Sequence, residues 1–142
     1  MLRGVAWGFE DAPLDVLFID LPPGTGDVHL SLVQQVPAAY DGGGAILVTT
    51  PQEVASEDAA KCGEMFQKTY VPILGVIENM SHFKDPTSGE LSYIFGKGGG
   101  ERLATQFDTD LLAEVPLDIA IREAMDNGEA INVEGYEGVL SA

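Results

Sequence analysis

The sequence predicts an α/β fold with a mostly parallel sheet, and three observations predict it. Four short apolar runs, at residues 16–19, 45–48, 73–77 and 111–115, are continuous rather than alternating. Such runs mark strands buried on both faces, as in a parallel sheet. Segments with helical signals follow each run, and a strand–helix order repeated four times is the order of parallel strands joined by crossover helices. The first run also delivers a carboxylate, Asp20, to its C-terminal end, the edge where ligands bind in open α/β sheets.

The elements follow in order. The first helix is expected over 28–36, with Asp27 as its N-cap and Pro37 marking its end. The second carries Ala55, Ala59, Cys62 and Phe66 on one apolar face. Thr50-Pro51-Gln52-Glu53 upstream has the form of a capping box with Pro at the first helical position, so that helix begins there or a few residues later. A third helix is expected to start within 98–101 and end at Phe107, and a fourth to run from Asp118 to Asn127, with Gly128 ending it. The stretch 81–95 breaks the rhythm. Its centre, Lys84-Asp85-Pro86-Thr87-Ser88-Gly89, reads as a turn between two short strands.

Composition bounds the function. The 142 residues are 45% hydrophobic, enough for a core in one domain or a large part of one. Seven Lys and Arg against 23 Asp and Glu give a net charge of −16, which repels nucleic acid and anionic membrane surfaces. The acidity serves solubility, or forms a patch for a basic partner. The single cysteine, Cys62, allows no internal disulfide and fits a reducing compartment. No apolar run approaches the ~20 residues that span a bilayer, and residues 1–8 lack the apolar stretch of a signal peptide. The expected location is the cytoplasm.

The most informative stretch is Ile19-Asp20-Leu21-Pro22-Pro23-Gly24-Thr25-Gly26-Asp27. A carboxylate at a strand end can hold Mg²⁺ directly or through water. The loop after it is stiffened by two prolines and opened by two glycines, whose backbone N–H groups can approach an anion. On the residues alone a second reading stands beside this one: Asp20 caps a loop and Pro-Pro-Gly makes a turn.

This segment resembles the Walker B and switch II segment of the Mrp/ApbC-type deviant-Walker P-loop ATPases, a family linked to iron–sulfur cluster handling. The resemblance continues in order through Val48-Thr49-Thr50-Pro51-Gln52, Gly75-Val76-Ile77-Glu78-Asn79-Met80-Ser81, Ile94-Phe95-Gly96-Lys97-Gly98-Gly99-Gly100-Glu101 and Glu114-Val115-Pro116-Leu117-Asp118. It covers roughly residues 14–131. It implies a partial doubly wound sheet of the P-loop NTPase type, the whole chain 1–142 being the C-terminal portion of one ATPase domain. It further implies that ATP and Mg²⁺ are the ligands and that Asp20 assists Mg²⁺ and catalysis. Pro22, Pro23, Gly24, Gly26 and Asp27 would form the nucleotide-sensing switch. Asn79 would read the adenine edge, since an amide both donates and accepts, and Pro116 and Leu117 would pack near the base. Implied partners are iron–sulfur client or scaffold proteins.

Two departures from the family stand out. There is no G-x-x-x-x-G-K-[ST] phosphate loop. Gly96-Lys97-Gly98-Gly99-Gly100 is no substitute, because no Ser or Thr follows its Lys and no strand runs directly into it. Its glycines serve either a close backbone approach or a flexible lead into the helix, or leave N–H groups free for an anion. The opening Leu2-Arg3-Gly4-Val5-Ala6-Trp7-Gly8 resembles the end of the helix before the family's Walker B strand, so the phosphate-loop strand is expected to be absent and the chain alone inactive as an ATPase. In the family that strand lies between the Asp20 strand and the 45–48 strand. Its absence leaves exposed edges, which tend to pair with another chain, so a homo-oligomer is expected.

The second departure is at 82–90, which reads His-Phe-Lys-Asp-Pro-Thr-Ser-Gly-Glu. Many family members carry Cys-x-x-Cys between the Asn-Met-Ser and Phe-Gly motifs. The missing thiolates count against an iron–sulfur cluster on this chain. Cys62 is expected in the core, His29 on a helix surface and His82 in a loop. Competing readings are a division or partition ATPase, a non-catalytic fragment or interaction module, and a phosphate-accepting signalling domain. The Glu-Asn-Met-Ser and Phe-Gly-Lys-Gly-Gly-Gly segments argue against the first. The last needs a lysine at a later strand end, where this chain has Asn79 and Pro116.

Overall fold

The structure, a computed structural model, describes residues 14–22, 24–35 and 43–129. Its elements in chain order are α1 (Asp27–Gln35), β1 (Ala45–Thr49), α2 (Glu53–Lys68), β2 (Ile73–Lys84), β3 (Leu91–Ser92), α3 (Gly99–Phe107), β4 (Leu111–Leu117) and α4 (Ile119–Asn127). The fold is α/β with a parallel sheet, as the apolar runs predict. The expected helix end at Pro37 and the opening segment 2–8 lie outside the described residues.

β2 is the central strand. It pairs in parallel with β1, from Ala45↔Ile73 to Thr49↔Glu78, and in parallel with β4, from Val76↔Leu111 to Phe83↔Leu117. Its last residues pair antiparallel with β3, Phe83↔Ser92 and Lys84↔Leu91. The change of partner coincides with a register shift between Asn79 and Phe83 and with Met80 at φ 56°. One long strand therefore serves two roles: it centres the parallel sheet up to Asn79, and past the shift it pairs with β3 on one side while Phe83 still pairs with Leu117 of β4 on the other.

The core is Leu47, Val76, Met65, Phe66, Leu103, Ala104 and Phe107, where α2 and α3 close over β1 and β2. Val76 and Leu103 are almost wholly buried, and side chains of this size contribute about 1.5–3 kcal/mol each when fully buried. Gly63 sits where a Cβ would overlap the Phe107 ring, so this glycine sets how closely α2 and α3 pack.

Helix ends follow their sequence signals in part. Asp118 caps α4, its Oδ1 accepting from the Ala120 N–H at 2.8 Å, and Gly128 closes it in the left-handed region at φ 69°. Asp27 is the first residue of α1 rather than its cap, a one-residue difference of the kind helix ends commonly show. The capping box at Thr50 does not form. α2 starts at Glu53 behind Gln52, which makes no side-chain cap bond, and Thr50 Oγ1 is buried without a partner. Thr50 and Pro51 instead complete the strand end, beyond reach of the first helical turn.

Three further expectations are corrected. Residues 16–19 form no strand; Val16, Leu17, Phe18 and Ile19 are all exposed, Phe18 by 86%. A strand exists only as part of a ladder that satisfies its N–H and C=O groups, and no described strand pairs with this run. Second, β1 is not buried on both faces: Leu47 and Thr49 face the helices, while Ile46 and Val48 are exposed. The helices that contact β1 cover one side of it. Third, His29 is 2% exposed rather than on the surface, with Leu32 buried three residues on along the same helix face, and His82 lies in β2 rather than in a loop. No helix among the described residues is long and apolar enough to cross a membrane.

Candidate functional site

The parallel strands place their carboxyl ends side by side. Thr49 pairs with Glu78 and Asn79 with Val115, so the segments 50–51, 78–80 and 115–117 form one edge. Ser81, 1% exposed, ties this edge together by donating from Oγ to the Val115 carbonyl at 3.2 Å. The same oxygen lies 2.9 Å from His82 Nδ1, a second polar contact at this edge.

Asn79 is half-buried at this edge. Its Oδ1 accepts from the Met80 N–H at 2.9 Å, which supports the left-handed backbone of Met80. The carboxamide N–H₂ makes no hydrogen bond among the described residues and is free to donate. Pro116 and Leu117 are half-buried on the adjacent strand. Asn79, Pro116 and Leu117, far apart in sequence, thus lie together.

Beside them α3 begins, and here the glycine-rich segment finds its role. Gly100 donates its N–H to Glu78 Oε2 at 2.6 Å, and Glu78 is 1% exposed. A Cβ on Gly100 would stand 2.8 Å from Glu78 Cβ and 2.9 Å from Leu111 Cδ1; one on Gly99 would stand 2.7 Å from the Pro51 carbonyl oxygen. Gly99 and Gly100 therefore let the helix start press onto β2 and the β1–α2 connection. A carboxylate belongs at the positive end of a helix dipole, and Glu78 fills that position from within the protein. The segment is a close-packing device, not an anion cradle. Sequence reasoning missed Glu78; the available signal was a charged residue directly after the apolar run 73–77.

The second set of candidates lies on the connection 20–27. Asp20 is exposed and Leu21 packs against the core cluster. Gly24 has φ 96°, a conformation only glycine adopts readily. Its carbonyl accepts from Cys62 Sγ at 3.1 Å, which holds the connection against α2. Gly26 accepts the His29 N–H at 3.0 Å at the start of α1, where Asp27 supplies the first-turn acid. Pro22 is exposed; Pro23 lies outside the described residues. Burial pushes the Cys62 thiol up from its ordinary range, so it stays protonated and behaves as a packing residue.

Asp20 is tested as a Mg²⁺ ligand by its surroundings. Among the described residues no group of three or more His, Cys, Asp or Glu could hold a metal. Mg²⁺ is commonly held by one or two carboxylates together with substrate phosphates. Asp20 alone does not make a site; it can serve as one ligand only beside a bound phosphate.

At 81–95 the chain forms a β-hairpin closed by an Asx turn. Asp85 Oδ1 accepts from the Thr87 and Ser88 N–H groups, both at 2.8 Å, and these bonds, that to Ser88 first, hold its carboxyl below the usual range. An open groove of about 430 Å³ lies elsewhere, between α2 and α3, lined by Glu53, Glu57, Lys61, Glu64 and Arg102 among others. Its walls are charged and open, unlike the sheet edge, where strand register sets Asn79 beside residues 115–117.

A family model described as a NUBPL iron-transfer P-loop NTPase of the ParA group matches residues 1–140. The chain belongs to this family. It is 51% identical over 116 residues to an iron–sulfur cluster carrier protein of Pseudomonas fragi, covering 82% of this chain and 39% of that protein. It is 47% identical over 131 residues to the iron–sulfur cluster transfer protein NUBPL of Mus musculus, covering 92% and 39%. Among solved structures it is similar to a nucleotide-binding protein in complex with ADP from Archaeoglobus fulgidus, with a TM-score of 0.74 and 35% identity, covering 88% of this chain and 50% of that one. The chain thus spans about two fifths of the curated relatives it matches and half of this solved nucleotide-binding protein.

Proposed function

We propose that this chain is the base-side and switch portion of an ATP-binding NTPase that carries or transfers iron–sulfur clusters. The observation that carries the reading is the strand register that sets Asn79 beside Val115, with Pro116 and Leu117 next in line, at the carboxyl edge of adjacent parallel strands. Asn79 donates from its amide nitrogen to an acceptor on the base, while its oxygen stays bound to the Met80 N–H. Pro116 and Leu117 cover the base with apolar surface. The connection 20–27, held at Gly24 by Cys62, senses the terminal phosphate, and a segment ordered by a phosphate is a recurring switch device. Mg²⁺, when bound, supplies charge stabilisation at the phosphates, and Asp20 is the residue that would assist it.

The phosphate side is what the chain does not carry. Phosphoryl transfer rests on positioning and charge stabilisation, and one exposed carboxylate supplies little of either. The chain by itself binds nucleotide through the base and does not turn it over. The hairpin 81–95 holds no thiol, so cluster chemistry belongs to other cysteines or other chains, with client or scaffold proteins as partners. The side of β1 that has no strand partner among the described residues, and the exposed run 16–19, favour a homo-oligomer. The absence of a disulfide pair fits the cytoplasm.

Titration of the purified chain with a fluorescent ADP analogue tests this. Binding is expected, weakened about tenfold by Asn79→Ala, the loss of one hydrogen bond of ~1.4 kcal/mol. ATP hydrolysis is expected at background and indifferent to Asp20→Ala. Turnover that disappears in Asp20→Ala would overturn the inactive reading. No binding at all would favour the second reading, a non-catalytic interaction module, which the unsupported Asp20 favours.

A further inference from the structure

The basic side chains are distributed unevenly. Lys61 pairs with Asp58 at 2.9 Å, Lys68 with Glu64 at 3.9 Å, and Arg122 with Glu123 and Asp126 at 2.9 Å. Lys84, Lys97 and Arg102 have no carboxylate partner among the described residues. All three lie on the β2–β3 hairpin or at the start of α3. Residues 81–102 hold three of the seven Lys and Arg but only three of the 23 acids, Asp85, Glu90 and Glu101. Asp85 is tied to its own turn. In a chain of net charge −16 this is a neutral island with uncompensated cations.

The hairpin brings two of those cations, Lys84 and Lys97, to one face. Lys84 and Leu91 are Cα partners, so their side chains point the same way, and His82 and Tyr93, each two residues off, share that face. The His82 and Tyr93 rings are 6.3 Å apart, and Lys97 Nζ stands 3.5 Å over the Tyr93 ring. Arg102 donates to the Lys97 carbonyl at 3.1 Å, which fixes the connection under that lysine. Leu91, Tyr93 and Ile94 are exposed by 46%, 39% and 59%. Held by Ser81 at its base and by the Asx turn at its tip, the hairpin is preorganised, which lowers the cost of binding.

We infer that this face docks a short acidic segment of another polypeptide, with apolar side chains interleaved between its carboxylates. Carboxylates meet Lys84 and Lys97, and apolar side chains cover Leu91, Tyr93 and Ile94. Charge complementarity selects this occupant. At physiological salt charges are screened beyond about 8 Å, so a short segment feels the local cations rather than the acidic remainder. A long polyanion would overrun the patch onto acidic surface. A second copy docked hairpin to hairpin would bring a second set of the same cations into one interface.

Fluorescence anisotropy of the full chain with a labelled ten-residue peptide of alternating Glu and Leu tests this, with a peptide of alternating Lys and Leu as control. The acidic peptide is expected to bind, and binding to weaken about tenfold in Lys84→Glu/Lys97→Glu. Lys84→Gln/Lys97→Gln, which adds no negative charge, is expected to fall between. Lys61→Glu/Lys68→Glu, on the surface of α2, is expected to leave it unchanged. Equal loss in the two charge-reversed pairs, or equal binding of the basic peptide, would overturn the proposal. So would binding of a single-stranded oligonucleotide or phosphatidylserine vesicles that depends on the same two lysines, or cross-linking that sets Lys84 and Lys97 against a second copy.

Discussion

The apolar runs 16–19 and 73–77 look alike in sequence and end differently in the structure. Both are four or five consecutive large aliphatic or aromatic residues apart from Gly75, and both lead into a family motif. The second became the middle of a sheet, with β1 on one side, β4 on the other and Val76 fully buried. The first stayed unpaired, with Phe18 86% exposed. Apolar composition nominates a strand; a neighbouring ladder makes one. Residues 45–118 supply their own ladder, and residues 14–22 do not.

That contrast can be broken or sharpened by mutation. The largest effect is expected where the start of α3 presses onto the sheet. Gly100→Val would drive its side chain into Glu78 and Leu111 and cost about 3 kcal/mol or more, in line with overpacking of a filled core; chemical denaturation measures it. Next comes Glu78→Ala, which leaves the Gly100 N–H buried without an acceptor, at about 1–3 kcal/mol; Glu78→Gln, which keeps an acceptor, should recover part of that loss. Asp118→Ala removes the α4 cap and should cost about 1 kcal/mol. Phe18→Ser, on the unpaired run, should stay within about 0.5 kcal/mol. A Phe18→Ser loss as large as that of Gly100→Val would mean the run is packed after all.

The smallest effect concerns pH. The Asp85 carboxyl lies below its ordinary range because two backbone N–H groups donate to it. Its contribution to hairpin stability is therefore complete above the ordinary carboxylate range and is lost as pH falls through its lowered folded value. Amide chemical shifts of Thr87 and Ser88 should move in that acid window, and in Asp85→Asn the movement should vanish.

Much of this was legible in the residues. The runs at 45, 73 and 111 located three strands, Asp118 and Gly128 located both ends of α4, and Lys84-Asp85-Pro86-Thr87-Ser88-Gly89 located the hairpin turn. What escaped depends on contacts between distant parts. Nothing near His29 signals that its helix face turns inward. The extension of β2 past Asn79 rests on a left-handed Met80 that no local residue preference announces. The glycines at 99 and 100 look the same whether they cradle an anion or admit Glu78, and only the position of β2 decides between these. Of the site, Asn79, Pro116 and Leu117 could be named from the family resemblance, but their adjacency is a property of strand register.

Hydrogen exchange on the chain with and without saturating ADP tests the central claim most directly, because it reads the base side and the switch side together. Added protection is expected at Asn79 and Met80 and across 115–117, with fast exchange at 16–22 unchanged by nucleotide. Protection confined to 20–27, or none anywhere, would contradict the assignment of the base to the β2–β4 edge.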